Sequence, residues 1–138
     1  MTGATHDTLT DLGRGTPVWF SLSGRLLPVW ILAQFLTAGL ALFGETGTWD
    51  LHAGLGAGLA LPVLCLAGGA IAVPRLRGFG WWAGLAALLY LLQVALAAGD
   101  ASRSLAFHPV NGALLLTASL VLLAKIERRL ARSRKTKA

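Results

Sequence analysis

From Leu26 to Gly44 the chain reads LLPVWILAQFLTAGLALFG, about 19 residues without a charge, and three comparable runs follow: Leu51 to Val73, Trp81 to Ala98 and Leu105 to Ala124. Each can cross roughly 30 Å of hydrocarbon at about 1.5 Å of helical rise per residue. In lipid every backbone polar group must be satisfied internally, and an uninterrupted apolar run of this length does so as a helix. Composition agrees, because 55% of the 138 residues are hydrophobic and 13% charged, too apolar for a soluble domain of this size. The expected fold class is therefore all-α, a four-helix transmembrane up-and-down bundle embedded in a lipid bilayer.

Three regions follow. Residues 1–25 are expected to form a cytoplasmic N-terminal tail and an interfacial segment. Met1 to Gly15 is rich in Thr, Gly and Asp, has no periodicity and reads as mobile, with His6 solvated. Pro17 to Arg25 sets Trp19 and Phe20 beside polar residues, which suits the headgroup region, and is too short and interrupted to span. Residues 26–124 form the transmembrane domain, with spans at 26–44, 51–73, 81–98 and 105–124, and residues 125–138 form a basic cytoplasmic tail into which the last helix continues. Pro28 falls in the opening turn of the first span, where a missing N–H costs little. Pro62 lies inside the second and predicts a kink, since the Gly58 carbonyl loses its helical donor. A signal peptide competes for the first span, but the region before it is not basic enough and three more spans follow.

Charge sets the expected orientation. With the N-terminus inside, Arg14, Arg25, Arg75, Arg77 and the seven Lys and Arg from Lys125 onward all lie on the cytoplasmic side, leaving Arg103 alone on the far face. Glu45, Asp50 and Asp100 then lie outside. The expectation is a multi-pass protein of a bacterial inner membrane with both termini cytoplasmic. The basic tail is read as an orientation signal that also touches anionic lipid, not as a nucleic-acid site.

Within this frame two short motifs stand out, WDLHAGLGAG at Trp49 to Gly58 and FHPVNG at Phe107 to Gly112. In both a histidine near the start of a span is followed four residues later by glycine: His52 with Gly56, His108 with Gly112. Alternation of direction makes the second and fourth spans parallel, so the two histidines share one depth near the outer surface, and in a ring of sequential neighbours these spans are diagonal partners. The positive end of a helix disfavours imidazolium and keeps a first-turn histidine neutral, the form a metal needs. A glycine four residues on lies on nearly the same face and lets the edge of a flat group approach the backbone. His52 and His108 are thus candidate axial ligands of one haem, with Gly56 and Gly112 lining its edge and Arg103 placed to pair with a propionate. A lone interfacial histidine is more often just an amphipathic residue; matched depth on diagonal helices is what shifts the balance here.

The remaining polar and small residues have plainer roles. Gly54 with Gly58, and Gly80 with Gly84, form small-x-x-x-small faces suited to close helix packing. Gln34 and Gln93 occupy comparable places in the first and third spans, which together with the histidine motifs suggests that one helical hairpin is repeated. The glutamines can hydrogen-bond between helices, or support the histidines from behind. Asn111 and Ser119 share the face of His108. Cys65 is the single cysteine and lies deep in an apolar run, so no internal disulfide or thiolate site arises.

LHAGLGAGL opening one helix and FHPVNGALL opening another resemble small four-helix bacterial membrane proteins of an uncharacterised family, many from actinobacteria. More distantly they are similar to b-type cytochromes of the bacterial inner membrane and to the half-repeats of haem A synthase. The resemblance covers roughly residues 26 to 124 and implies a haem-binding bundle that passes electrons to or from quinone or a redox partner protein, with His52 and His108 as the ligands carried over. The chain departs from two-haem cytochromes, because its spans hold no further histidine.

Other classes lack their residues. No carboxylate falls in a span core, as proton-coupled exporters require, and no Ser-His-Asp set, phosphate loop or zinc spacing appears. Two readings stay open: a haem-binding redox protein, and a cofactor-free scaffold or accessory subunit of a larger membrane complex.

Overall fold

A computed structural model of the chain describes residues 7–44, 47–99 and 102–136, with the backbone alone for residues 102 and 103. The described residues are helical, with no strand among them. Helix α1 spans Val18–Phe43, α2 Thr48–Gly58, α3 Ala60–Ala72, α4 Gly80–Ala98 and α5 Ser102–Lys135. Helices α2 and α3 make one rod interrupted at Leu59, so that four helical stretches among the described residues are long and apolar enough to cross a membrane. The interruption has the expected cause. Pro62 offers no N–H to the Gly58 carbonyl, while the bonds on either side survive, from Leu59 N to Leu55 O at 3.1 Å and from Val63 N to Leu59 O at 3.3 Å.

Helix α1 packs against α2 and α3 on one side and α5 on the other, α3 packs on α4, and α4 on α5. The four rods therefore form a ring in chain order, with the α2–α3 rod diagonal to α5. Their outward faces carry Leu36, Leu64, Ile71, Leu88 and Leu120, all exposed, a surface matched to lipid rather than water.

The interior divides along the bundle axis. In the half nearer the chain termini, Phe20 and Leu27 of α1, Val63 and Leu66 of α3, Phe79, Ala83 of α4, and Leu122 and Ile126 of α5 interlock as a continuous apolar core. Their spacing of three, four or seven residues within each helix puts them on one inward stripe. Toward the other end that packing stops at Ile31, Leu59 and Leu115, which also border an open cavity.

Two sequence expectations about the first helix are corrected. The segment from Val18 to Arg25 is not a separate piece but forms the first turns of α1, continuous with the span. Its serines do not interrupt the helix, because each hydroxyl bonds back to a preceding carbonyl, Ser21 to Val18 at 3.0 Å and Ser23 to Trp19 at 2.8 Å. Pro28 consequently lies well inside α1, not in its opening turn.

The N-terminal tail, for the part described, is docked rather than loose. The guanidinium of Arg129 on α5 is completely buried and donates to the carbonyls of Thr8 at 2.6 Å, Thr10 at 2.7 Å and Asp11 at 3.4 Å, and to Oγ1 of Thr16 at 3.1 Å. Gly78 admits this strap, since a Cβ there would run into the backbone of Asp7 and Thr8. Arg25 and Glu127 pair at 2.6 Å beside it. Both ends of the described chain thus meet at one end of the bundle. His6 lies outside the described residues.

The small-x-x-x-small faces are corrected in part. Gly54, Gly80 and Gly84 face open space, and only Gly58 is a packing contact, its Cβ position lying 2.6 Å from the Trp30 ring. An equally close approach occurs at Gly69, where a Cβ would meet Trp19 at 2.6 Å and Phe20 at 2.9 Å.

Candidate functional site

The half of the bundle away from the termini holds an open cavity of about 480 Å³, inside the range of roughly 300–1,000 Å³ typical of small-molecule sites. His52 and His108 both line it, as do Gly56, Gly112, Gln34 and Gln93. Among the described residues no charged side chain lines it. Every helical rod contributes, because each leaves the apolar core at the same level and carries a polar residue just beyond it.

The two imidazoles face one another across the bundle with ring centroids 6.2 Å apart and planes inclined at 58°. They arrive there because α2 and α5 run in the same direction on diagonal corners of the ring. Neither stands in the opening turn as the sequence suggests, since the helices begin earlier: His52 is the fifth residue of α2 and His108 the seventh of α5. Among the described residues no third His, Cys, Asp or Glu joins them to form a metal-binding group. Among the described residues, a metal held by this pair finds no further protein ligand.

Their surroundings differ. Nδ1 of His52 lies 3.1 Å from the backbone carbonyl of Gln34 and 3.1 Å from Oγ1 of Thr37, whose hydroxyl donates to that same carbonyl at 3.1 Å. A carbonyl only accepts, so Nδ1 carries the proton and Nε2 keeps its lone pair. The Trp49 ring, T-shaped to the imidazole with centroids 5.7 Å apart and planes at 85°, braces it further. Nδ1 of His108 is buried and has no hydrogen-bond partner among the described residues. The Gln93 backbone carbonyl is near enough to act electrostatically on that ring without meeting hydrogen-bond geometry.

Around the histidines lies a polar frame. Gln93 donates from Nε2 to the backbone carbonyl of His108 at 3.0 Å and accepts from Nδ2 of Asn111 at 2.5 Å, and Asn111 also donates to the Leu89 carbonyl at 2.9 Å. Gln93 thus bonds between helices, one of the two roles open to it from sequence. Tyr90 donates to the Gly56 carbonyl at 3.1 Å. Nε2 of Gln34 is buried without a partner among the described residues. The glycines sit beside the glutamines: a Cβ at Gly56 would lie 3.5 Å from Gln34 Oε1, and one at Gly112 would lie 3.3 Å from Gln93 Nε2.

The sequence-derived set is therefore brought together for His52, His108, Gly56 and Gly112. The side chain of Arg103 lies outside the described residues. Asn111 and Ser119 are buried as expected. Thr37 and Tyr90 were missed. Thr37 stands three residues after Gln34 in an otherwise apolar run and Tyr90 is the single tyrosine, so polarity inside a span was the available signal.

Fold and cavity together define a multi-pass four-helix membrane protein with a pair of histidines facing one internal cavity. Residues 34–101 match a family of unknown function, DUF6220, over a stretch that takes in Gln34, His52 and Gln93 and ends short of His108. No curated protein and no solved structure matches the chain.

Proposed function

We propose that the chain binds one b-type haem between His52 and His108 and serves as an electron carrier or haem-dependent redox module of a bacterial inner membrane. The observation that carries this reading is the spacing of the two rings. Metal–imidazole bonds of roughly 2.0–2.1 Å, with about 1 Å more from nitrogen to ring centre, set two axial imidazoles about 6 Å apart, close to the 6.2 Å found. Rotation about the metal–nitrogen axes is free, so planes inclined at 58° are compatible with shared ligation.

Further features support it. A pair of histidines without a third ligand among the described residues suits a metal that carries its own macrocycle. The apolar floor of Ile31, Leu59 and Leu115 suits a flat hydrophobic group, and the protonated Nδ1 of His52 leaves Nε2 available. The unpartnered Nε2 of Gln34 offers a donor to the group's periphery. When bound, the haem supplies a one-electron centre, and the residues of the chain hold it, orient it and exclude water.

On the proposed orientation, Arg14, Arg25, Arg75, Arg77 and the basic end of α5 are cytoplasmic and the cavity lies toward the outer leaflet. The other half of the bundle is solid apolar core. Electrons then enter and leave on the outer side, exchanged with a quinone in the bilayer or a redox partner protein.

The test is the absorption spectrum of detergent-purified protein from haem-replete cells. A Soret band that sharpens on dithionite reduction and is lost in His52→Ala supports the proposal. A folded, colourless protein rejects it in favour of a cofactor-free scaffold or accessory subunit.

A further inference from the structure

The two sides of the cavity are not equivalent. His52 is fixed from three directions, by the Gln34 carbonyl, the Thr37 hydroxyl and the Trp49 ring. A histidine that donates from Nδ1 to a carbonyl is both oriented and made a stronger donor at Nε2, and loss of such a partner costs roughly 10–100-fold in metal affinity. Nδ1 of His108 is buried and, among the described residues, makes no such hydrogen bond, the nearby Gln93 carbonyl falling outside hydrogen-bond geometry. It is also followed directly by Pro109, inside α5, which leaves the Leu105 carbonyl without its helical donor just where the histidine is carried.

We propose that His108 is the displaceable member of the pair, so that the cavity takes up a small neutral diatomic gas on the His108 side while His52 stays in place. This rests on the haem reading above. A neutral gas suits the site, because the described residues that line the cavity are apolar or uncharged and polar, with no cation among them to hold an anion.

Carbon monoxide is the probe, added to the dithionite-reduced, full-length protein in detergent. The expected result is a carbon-monoxide shift of the Soret band in the wild type. The same end spectrum is expected in His108→Ala, reached faster because no ligand has to leave. His52→Ala is expected to lose its haem. A wild-type Soret band that carbon monoxide leaves unmoved overturns the inference while leaving haem binding intact. So does a His52→Ala protein that keeps its haem and gains the faster binding. A colourless wild type instead overturns haem binding itself, and the inference with it.

Because His52→Ala can fail to fold, a second measurement identifies the retained ligand. In reduced His108→Ala, the iron–imidazole stretch seen by resonance Raman is expected to shift on adding Thr37→Val, since Thr37 touches Nδ1 of His52. An unmoved stretch in a folded, haem-bound double variant overturns the assignment of His52 as the fixed ligand.

Discussion

Arg129, on the last helix, donates to the backbone carbonyl of Thr8 at 2.6 Å across 121 residues of sequence, and the guanidinium that does so is wholly buried. A buried cation is tolerable only when its donors are used, and here Thr8, Thr10, Asp11 and Thr16 use them. Arg129→Met should release the N-terminal strap and cost about 2–4 kcal/mol, given hydrogen bonds to charged groups worth about 1.5–3 kcal/mol and partial relief from desolvation. Limited proteolysis of residues 7–16, alongside thermal melting in detergent, checks this. Arg129→Lys should rescue only in part, because an ammonium cannot reproduce the planar fork that spans three carbonyls. Unchanged protease protection in Arg129→Met would show that the strap is held by something else.

The glycines separate into two classes with opposite expectations. At Gly69 a Cβ meets the fully buried Phe20 ring as well as Trp19, so Gly69→Ala should destabilise by about 1–3 kcal/mol through overpacking. Gly54 and Gly84 face open space, and their replacement by Ala should be neutral or stabilising by up to about 1 kcal/mol through helix propensity. Melting temperatures of the three variants, compared in one detergent, decide it.

The bundle was legible because its signal is long and redundant. Four apolar runs with short, charged connections leave few arrangements, and Pro62 marked its own break. The site was legible in its histidines, since matched depth follows from span direction alone. Boundaries failed where local chemistry was ambiguous: Ser21 and Ser23 look like interruptions in sequence and are satisfied by their own helix in the fold. The strap on Arg129 and the bond from His52 to the Gln34 carbonyl depend on contacts between distant segments, with backbone groups as partners, which no residue pattern encodes.

Gln93 ties α4 to α5 at the level of the cavity through two bonds, to the His108 carbonyl and from Asn111. Gln93→Leu should cost about 1–3 kcal/mol, because buried Asn111 then loses an acceptor. Asn111→Ala should cost a similar amount, and the double variant less than the sum, with a coupling of about 0.5–3 kcal/mol expected for residues in one network. Denaturation of the four proteins in mixed micelles gives the cycle. Strict additivity would mean that the two side chains act independently.

Thr37→Val tests the wiring of His52 with little change in shape. The Gln34 carbonyl accepts from the Thr37 hydroxyl and from His52 Nδ1, and acceptors shared between donors bind each less strongly. Removing the hydroxyl leaves the carbonyl more available to Nδ1–H, which makes Nε2 a stronger electron donor. With haem bound, a stronger donor favours the oxidised iron, so the midpoint potential should fall. The change should stay under about 59 mV, a tenfold shift in a one-electron equilibrium. Thr37→Ser keeps the hydroxyl and should titrate like the wild type. Spectropotentiometric titration of the reduced band provides the measurement, and a potential that rises in Thr37→Val would show that Thr37 acts on His52 directly instead of through the Gln34 carbonyl.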